Sequence, residues 1–421
     1  MSKYNLIKLL MFILLAVNSF GQSQFMTLDD CIKEALENNP RLNQLKHSIN
    51  LSASGIESSK ADKSPTITLT QDASVSQRKG GNLTDSYTTS LGVRYTIFDS
   101  NRSDLSISLS EKSYQKILNN YQQAEIEVIS SVKDAYYKII QKKEALKVSD
   151  SILARRKSDL ALIKLKYEIG RESMQAVAES ESNLADAEYR KISATRELED
   201  AFFELNLLMD RNLWEQYAID EKSIYDNIEI TTDYEKLIDI AFKNRIDISN
   251  SKIDIEIAKL NLEQEQVRDK PELSASATNT HSGDKPFENH SYNFGVTYKM
   301  TFNLHDGGKK NIRLNDSKIR IIQAEDNYNT LVNNVKNEIK SALTSYELSL
   351  KQLDLSRRTL ESRRDIYTLT KLQYEQGNTT YFFLQQKESE LTNAEYSYIN
   401  SLYNLKSRAI RLVRTLGRSE I

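Results

Sequence analysis

The sequence predicts a mainly α, internally duplicated protein in which two β-hairpins are continued by long α-helical coiled-coil hairpins. Three observations carry that expectation: a motif repeated at constant spacing, two very long helical spans, and four segments of alternating polarity. Of 421 residues only 39% are apolar, even counting 22 Tyr, and 28% are charged. That apolar share is thin for a single thick core, since globular chains average roughly 45–50%. Only 4 Pro and 12 Gly are present, which excludes collagen-like, Pro-rich and loop-dominated folds. A net charge of −2 gives no reason to expect a nucleic-acid partner. A single Cys excludes a disulfide framework within one chain.

The chain begins with an address. Lys3 and Lys8 precede the apolar run Leu9–Val17, and Ser19 and Gly21 follow it. A basic start, a short apolar stretch and small residues describe a signal peptide over residues 1–21. The run is too short for a spanning helix, which needs about 20 residues. Cys31 follows two acids, a poor context for lipid attachment, and is expected to face a neighbouring element as a small hydrophobe.

The repeat organises everything downstream. Lys164-Leu165-Lys166-Tyr167-Glu168-Ile169-Gly170 recurs as Lys371-Leu372-Gln373-Tyr374-Glu375-Gln376-Gly377, an offset of 207. Across residues 164–189 and 371–396 there are 11 identities in 26 positions. Residues 22–213 and 233–421 are therefore expected to be two copies of one plan, linked by 214–232.

Each copy reads the same way. A short helix opens behind a capping residue, Thr27 or Asp233, and a second helix ends before Pro65 or Pro271. Two alternating strands follow, forming hairpins over 66–98 and 272–305. Ile67, Leu69, Ala73 and Val75 share one face of the first strand, with Thr66, Thr68, Thr70 and Ser74 opposite. Leu91, Val93, Tyr95 and Ile97 share a face of the second; Phe294, Val296, Tyr298, Met300, Phe302 and Leu304 do so in the last. Gly80-Gly81-Asn82 and Ser282-Gly283-Asp284 are the expected turns.

Helical hairpins over 101–209 and 308–416 come next. Residues 101–168 and 308–375 contain no Pro, and no Gly beyond Gly308. Each 68-residue span would reach about 100 Å as a helix. Val132, Ile139, Leu146, Leu153, Leu160 and Tyr167 step by seven, and Ile339, Tyr346, Leu353, Leu360, Tyr367 and Tyr374 repeat the step. Sustained heptads predict a coiled-coil seam. Gly170 and Gly377 mark the hairpin tips.

Strand number then bears on assembly. Four strands cannot close a barrel, and unpaired edges cannot sit in lipid. Three copies would supply 12 strands around a water-filled lumen. Taken alone, the hairpins fit a membrane sheet or a soluble one. The long helices following both hairpins, together with the export signal, favour the membrane.

In its opening Leu28-Asp29-Asp30-Cys31-Ile32-Lys33-Glu34-Ala35-Leu36-Glu37-Asn38-Asn39-Pro40, its Asp306-Gly307-Gly308 and its doubled Tyr-Glu-x-Gly tips, the chain resembles the TolC-type outer-membrane efflux proteins. The order, spacing and duplication of these motifs carry the resemblance across the whole mature chain. It implies a homotrimer: a 12-stranded barrel in outer-membrane lipid, continued by an α-helical barrel across the periplasm. It implies a passive duct for efflux or type I secretion, docking on a periplasmic adaptor and an inner-membrane pump of RND or ABC type.

The resemblance also implies a gate at the tips. Tyr374 stands where the family has a gating Tyr, three positions before the second tip glycine. Where a relative has an Arg, this chain has Thr379; the Arg's Thr and Asp partners are here Gln175 and Ala176. Two acids that ring the relative's entrance are here Phe383 and Gln386. The expected entrance is therefore a hydrophobic constriction of Tyr374, Phe382 and Phe383, with Tyr374 equally readable as a seam residue. Arg171 and Glu172 are expected to form an exposed pair or, with Gly170, Gly377 and Asn378, an adaptor contact.

Two other classes were weighed. An exported periplasmic coiled-coil adaptor or structural protein would share the helical hairpins but would not need lipid-type strands. For an enzyme, no nucleophile elbow, phosphate loop or zinc spacing appears, and His47, His281, His290 and His305 are scattered. No catalytic residue, metal site or cofactor is expected.

Overall fold

The computed structural model describes residues 25–77, 79–80, 83–226, 230–285 and 291–420. The signal peptide expected at residues 1–21, two residues of the first expected hairpin turn (Gly81 and Asn82) and His290 lie outside the described residues. The chain is mostly helical with a sheet portion. In order it forms β1 (Phe25–Met26), α1 (Leu28–Asn38), α2 (Pro40–Ala61), β2 (Thr66–Gln77), β3 (Leu83–Phe98), α3 (Arg102–Glu168) and α4 (Met174–Met209). Then follow β4 (Ala218–Ile219), a 3-10 turn (Glu221–Tyr225), α5 (Tyr234–Asn244), α6 (Ile246–Val267), β5 (Glu272–Gly283), β6 (Ser291–Thr301), α7 (Lys309–Glu375) and α8 (Tyr381–Thr415).

Local chemistry sets the ends of the helices. Thr27 Oγ1 accepts from Asp30 N (3.2 Å) while Asp30 Oδ2 accepts from Thr27 N (3.0 Å), a reciprocal cap on α1. Asp233 caps α5 through Lys236 N. Pro40 opens α2, where a missing N–H costs nothing.

Two compact units emerge. One comprises Gln44–Gln122 and Ile246–Asn334. It holds an antiparallel sheet in the order β2-β3-β5-β6. Its register aligns the side chains in rows: Ile67, Val93, Ala277 and Val296 lie side by side, as do Leu69, Leu91, Asn279 and Phe294. The opposite face carries Thr68, Gly92, Thr278 and Gly295, then Thr70, Ser90, Thr280 and Asn293. Directly paired residues share a face, so period-two sequences in this register produce one apolar and one polar surface. Among the described residues the apolar face is left uncovered: Ile67 is 70% exposed, Leu69 71% and Tyr298 71%.

The last strand is shorter than its pattern suggests. Alternation continues to Leu304, yet β6 ends at Thr301, paired with Glu272. The residue before Glu272 is Pro271, which has no N–H to extend the ladder. Ser282 and Gly283, expected in a turn, instead belong to β5.

The second unit comprises Met1–Asn43, Gln123–Arg245 and Val335–Ile421. Cys31 and Ala35 of α1 are fully buried, in keeping with Cys31 as a small hydrophobe. Tyr136, also fully buried, donates to Met26 O (3.3 Å) and accepts from Asp220 N (2.9 Å). Ile139, Leu205, Leu237, Ile339 and Leu384 are among its largest buried side chains.

The expected heptad line fares differently in α3 and α7. In α7, Ile339, Tyr346, Tyr367 and Tyr374 are buried and Leu353 and Leu360 half-buried. In α3, Val132 and Ile139 are buried, but Leu146, Leu153 and Leu160 are half-buried and Tyr167 is exposed. There the buried stripe is Ser149, Ile152, Arg156, Asp159 and Ile163. Its steps of 3 and 4 residues are a seam as regular as the expected one. Charged residues occupy it, so hydropathy alone gave it no weight.

Candidate functional site at the helical hairpin tips

Both tips are built by the same local physics. Gly170 adopts φ 73° and Gly377 φ 80°, a left-handed conformation that side chains resist. Arg171 N donates to Lys166 O (2.8 Å) and Asn378 N to Gln373 O (2.8 Å), closing the ends of α3 and α7. Three residues past each glycine a hydroxyl caps the return helix. Ser173 Oγ accepts from Ala176 N (3.2 Å) and Thr380 Oγ1 from Phe383 N (3.3 Å).

Behind the turns, α3, α4, α7 and α8 bury one cluster. It comprises Ile163, Ala176, Val177, Tyr367, Tyr374, Tyr381, Leu384 and Leu391. Tyr374 is 2% exposed, its ring 6.2 Å from that of Tyr381. Lys166 Nζ lies 3.7 Å from the Tyr374 ring centroid, a cation on the ring face, and donates to Tyr374 O. The Tyr374 hydroxyl donates to Glu172 Oε1 (2.9 Å). Burial first, then the bond to Glu172, holds the Tyr374 phenol well above its ordinary pKa, so it stays protonated. Asn183 Nδ2 donates to the Tyr381 hydroxyl (3.3 Å).

The residues singled out from sequence divide sharply. Tyr374 and Ala176 meet in the buried cluster, and Glu172 joins them through its hydroxyl bond. Gln175 is exposed and Thr379 half-buried. Phe382 (71% exposed), Phe383 (40%) and Gln386 line the opposite, solvent-facing stripe of α8. Lys387 Nζ lies 5.0 Å from the Phe383 ring centroid, and Gln386 Nε2 donates to Glu390 Oε1 (3.4 Å). Within one chain Tyr374 is thus buried among the helices, while Phe382 and Phe383 face solvent.

The Arg171–Glu172 pair does not form. Glu172 takes the Tyr374 hydroxyl instead, and among the described residues Arg171 has no ion-pair partner. Sequence reasoning missed Lys166, Tyr381 and Asn183. The signal for Lys166 was available: it lies ten residues before Ala176 across a turn, inside the repeated motif itself.

Among the described residues no group of His, Cys, Asp and Glu could hold a metal ion. No described helix is long and apolar enough to cross a membrane.

No curated protein sequence matches the chain. Solved structures do. A membrane protein from Pseudomonas aeruginosa superposes with TM-score 0.79 at 17% identity, covering 93% of this chain and 92% of that one. CusC, described for its transmembrane channel formation, gives TM-score 0.80 at 18% identity, over 93% and 92% of the two chains. The outer membrane protein VceC from Vibrio cholerae gives 0.74 at 17% identity, over 93% and 96%. At such identities these structures establish the fold alone. The sequence profile of outer membrane efflux proteins matches residues 31–210 and 237–418, most of the chain in two successive stretches. The chain belongs to the outer membrane efflux protein family and, with it, is a protein of the outer membrane.

Proposed function

We propose that this protein is the exit duct of a tripartite efflux or type I secretion system. Three copies close a 12-stranded barrel in outer-membrane lipid, and their helical hairpins continue it into the periplasm. Substrate passes through without chemistry, delivered by an inner-membrane pump and a periplasmic adaptor.

One observation carries this reading: a four-stranded sheet with apolar rows on one face and Thr, Ser and Gly on the other, the outer edges of β2 and β6 unpaired among the described residues. An open sheet leaves backbone donors and acceptors on both edges, which lipid does not tolerate. Closing it with further copies satisfies both edges. It also turns the apolar rows to lipid and the hydroxyl rows to a lumen. The two successive family matches agree with a chain written twice.

At the periplasmic end, Phe382 and Phe383 form the constriction, and Tyr374 holds the second hairpin tip in place behind them. The exposed turn residues Arg171 and Asn378 are the adaptor contacts. Purified protein in a planar bilayer tests both levels. Small, flickering wild-type currents that grow in Tyr374→Ala and change ion preference in Phe383→Asp support duct and constriction. Insertion with unaltered mutant currents removes the constriction from these residues. A protein that stays monomeric and never inserts overturns the duct.

A further inference from the structure

Within the helical unit lies a buried ionic cluster that no role at the tips requires. It joins the first helical hairpin to the second. Glu388 on α8 has a side chain 1% exposed, and Arg156 on α3 is nearly as buried. Arg156 Nη1 lies 2.8 Å from Glu388 Oε2, and Arg155 Nε 3.5 Å from Glu388 Oε1. Arg155 also holds Glu395 of α8 through both terminal nitrogens, at 2.9 and 3.2 Å. Asp159, with a side chain 4% exposed, has Lys371 of α7 at 3.8 Å.

The pairing is incomplete. Both Glu388 oxygens, Asp159 Oδ1 and the Tyr367 hydroxyl are buried without a hydrogen bond. The guanidinium nitrogens stand near Glu388 but off the hydrogen-bond axis. Buried ion pairs stabilise only when geometry is excellent and the remaining lone pairs are satisfied. Apolar residues of similar volume would hold this seam at least as well. Nor does the motif demand burial: Glu181, the residue 207 positions before Glu388, is exposed and paired with Lys164.

The groups that face the two carboxyls can be named by element. From α3 come Arg155 and Arg156 and from α7 Tyr367, Lys371, Tyr374 and Glu375, while Glu395 and Thr392 of α8 hold Arg155. The buried face of α4 offers Ala176, Val177 and Ser180. Asp159 and Glu388 oppose each other as like charges, so one proton between them relieves both burial and repulsion.

We propose that this cluster is a proton-operated latch between the two helical hairpins: a proton taken up by Asp159 and Glu388 tightens α3 against α8, and its loss loosens that junction. The sign follows from linkage. In the packed state burial, the first cause for each, raises the proton affinity of both carboxyls above the ordinary range. In a parted state they are solvated and ordinary. Protons therefore bind the packed state preferentially, so its stability grows as pH falls from the raised value toward the ordinary one.

Hydrogen–deuterium exchange on the intact protein in detergent tests this, independently of whether it conducts. Peptides from residues 150–163 and 385–396 are followed between about pH 8 and about pH 5.5, corrected for intrinsic exchange. Wild-type protection is expected to rise about tenfold on acidification, the equivalent of one pKa unit. Glu388→Gln, neutral throughout, flattens most of that response. Lys371→Met, a change at the half-exposed rim, removes the cation that favours ionised Asp159 and moves the midpoint to higher pH. Invariant wild-type protection overturns the latch, as does a full response in Glu388→Gln. Should Glu388→Gln fail to fold, an unmoved midpoint in Lys371→Met overturns it alone.

Discussion

Tyr167 and Tyr374 hold the same place in two copies of one motif, yet Tyr167 is 43% exposed and Tyr374 only 2%. The pattern continues along the return helices. Leu184 is half-buried where Leu391 is buried, and Tyr189 is 72% exposed where Tyr396 is half-buried and bonded to Ser149. The repeated motif makes the same turns with the same hydrogen bonds. What differs is the neighbour: within one chain the second hairpin is packed against the first across α3, whereas Tyr167 and Tyr189 of the first hairpin stay exposed. Local sequence builds the hairpin, and the packing partner decides which of its residues become core.

That contrast can be broken by measurement. The largest expected effect is Tyr374→Ala, which empties a buried aromatic site and should cost about 3–5 kcal/mol. Tyr167→Ala should cost less than about 1 kcal/mol in the isolated chain. Thermal unfolding in detergent compares the two, and equal losses would mean the hairpins are equivalently packed. Leu391→Ala against Leu184→Ala repeats the test without a hydroxyl; about 2–5 kcal/mol is expected for Leu391 and clearly less for Leu184.

The glycines sharpen the comparison from the other side. Gly170→Ala and Gly377→Ala place a side chain in the left-handed region, where nothing crowds the added methyl. Each should lose about 1–2 kcal/mol, and by similar amounts, because the turns are alike even though the packing is not. Unequal losses would show that packing reaches into the turns. The smallest effect belongs to Tyr374→Phe. It removes the bond to Glu172 and keeps the ring, at about 0.5–1.5 kcal/mol, whereas Tyr167→Phe should be silent within error.

Much of this was legible in the residues. Thr27 and Asp233 as caps, Gly170 and Gly377 as tips, and the alternation of Ile67, Leu69, Val93 and Val296 are local signals. They depend on φ/ψ preferences and on a period of two, so they survive whatever the chain packs against. The ends of strands were less legible. β6 stops at Thr301 because its partner strand begins at Glu272, just after Pro271, a fact about the neighbouring strand rather than about β6.

The candidate site was legible in its position and not in its contacts. The motif located Tyr374, Phe382 and Phe383 at a tip. It did not separate the tyrosine, turned into the seam, from the phenylalanines turned out of it. It also passed over Arg156, Asp159 and Glu388, because hydropathy scores a charge as surface. Only the approach of α3 to α8 supplies the opposite charges that let such groups be buried.

The amino-acid sequence by itself therefore determined the elements, the turns between them, the amphipathic strands and the place of the tips, since each follows from interactions within a few residues. Only the tertiary structure decided which copy of the motif is core, where the α3 seam runs and which carboxylates lose their water. Those outcomes depend on helices that are distant in sequence and adjacent in space.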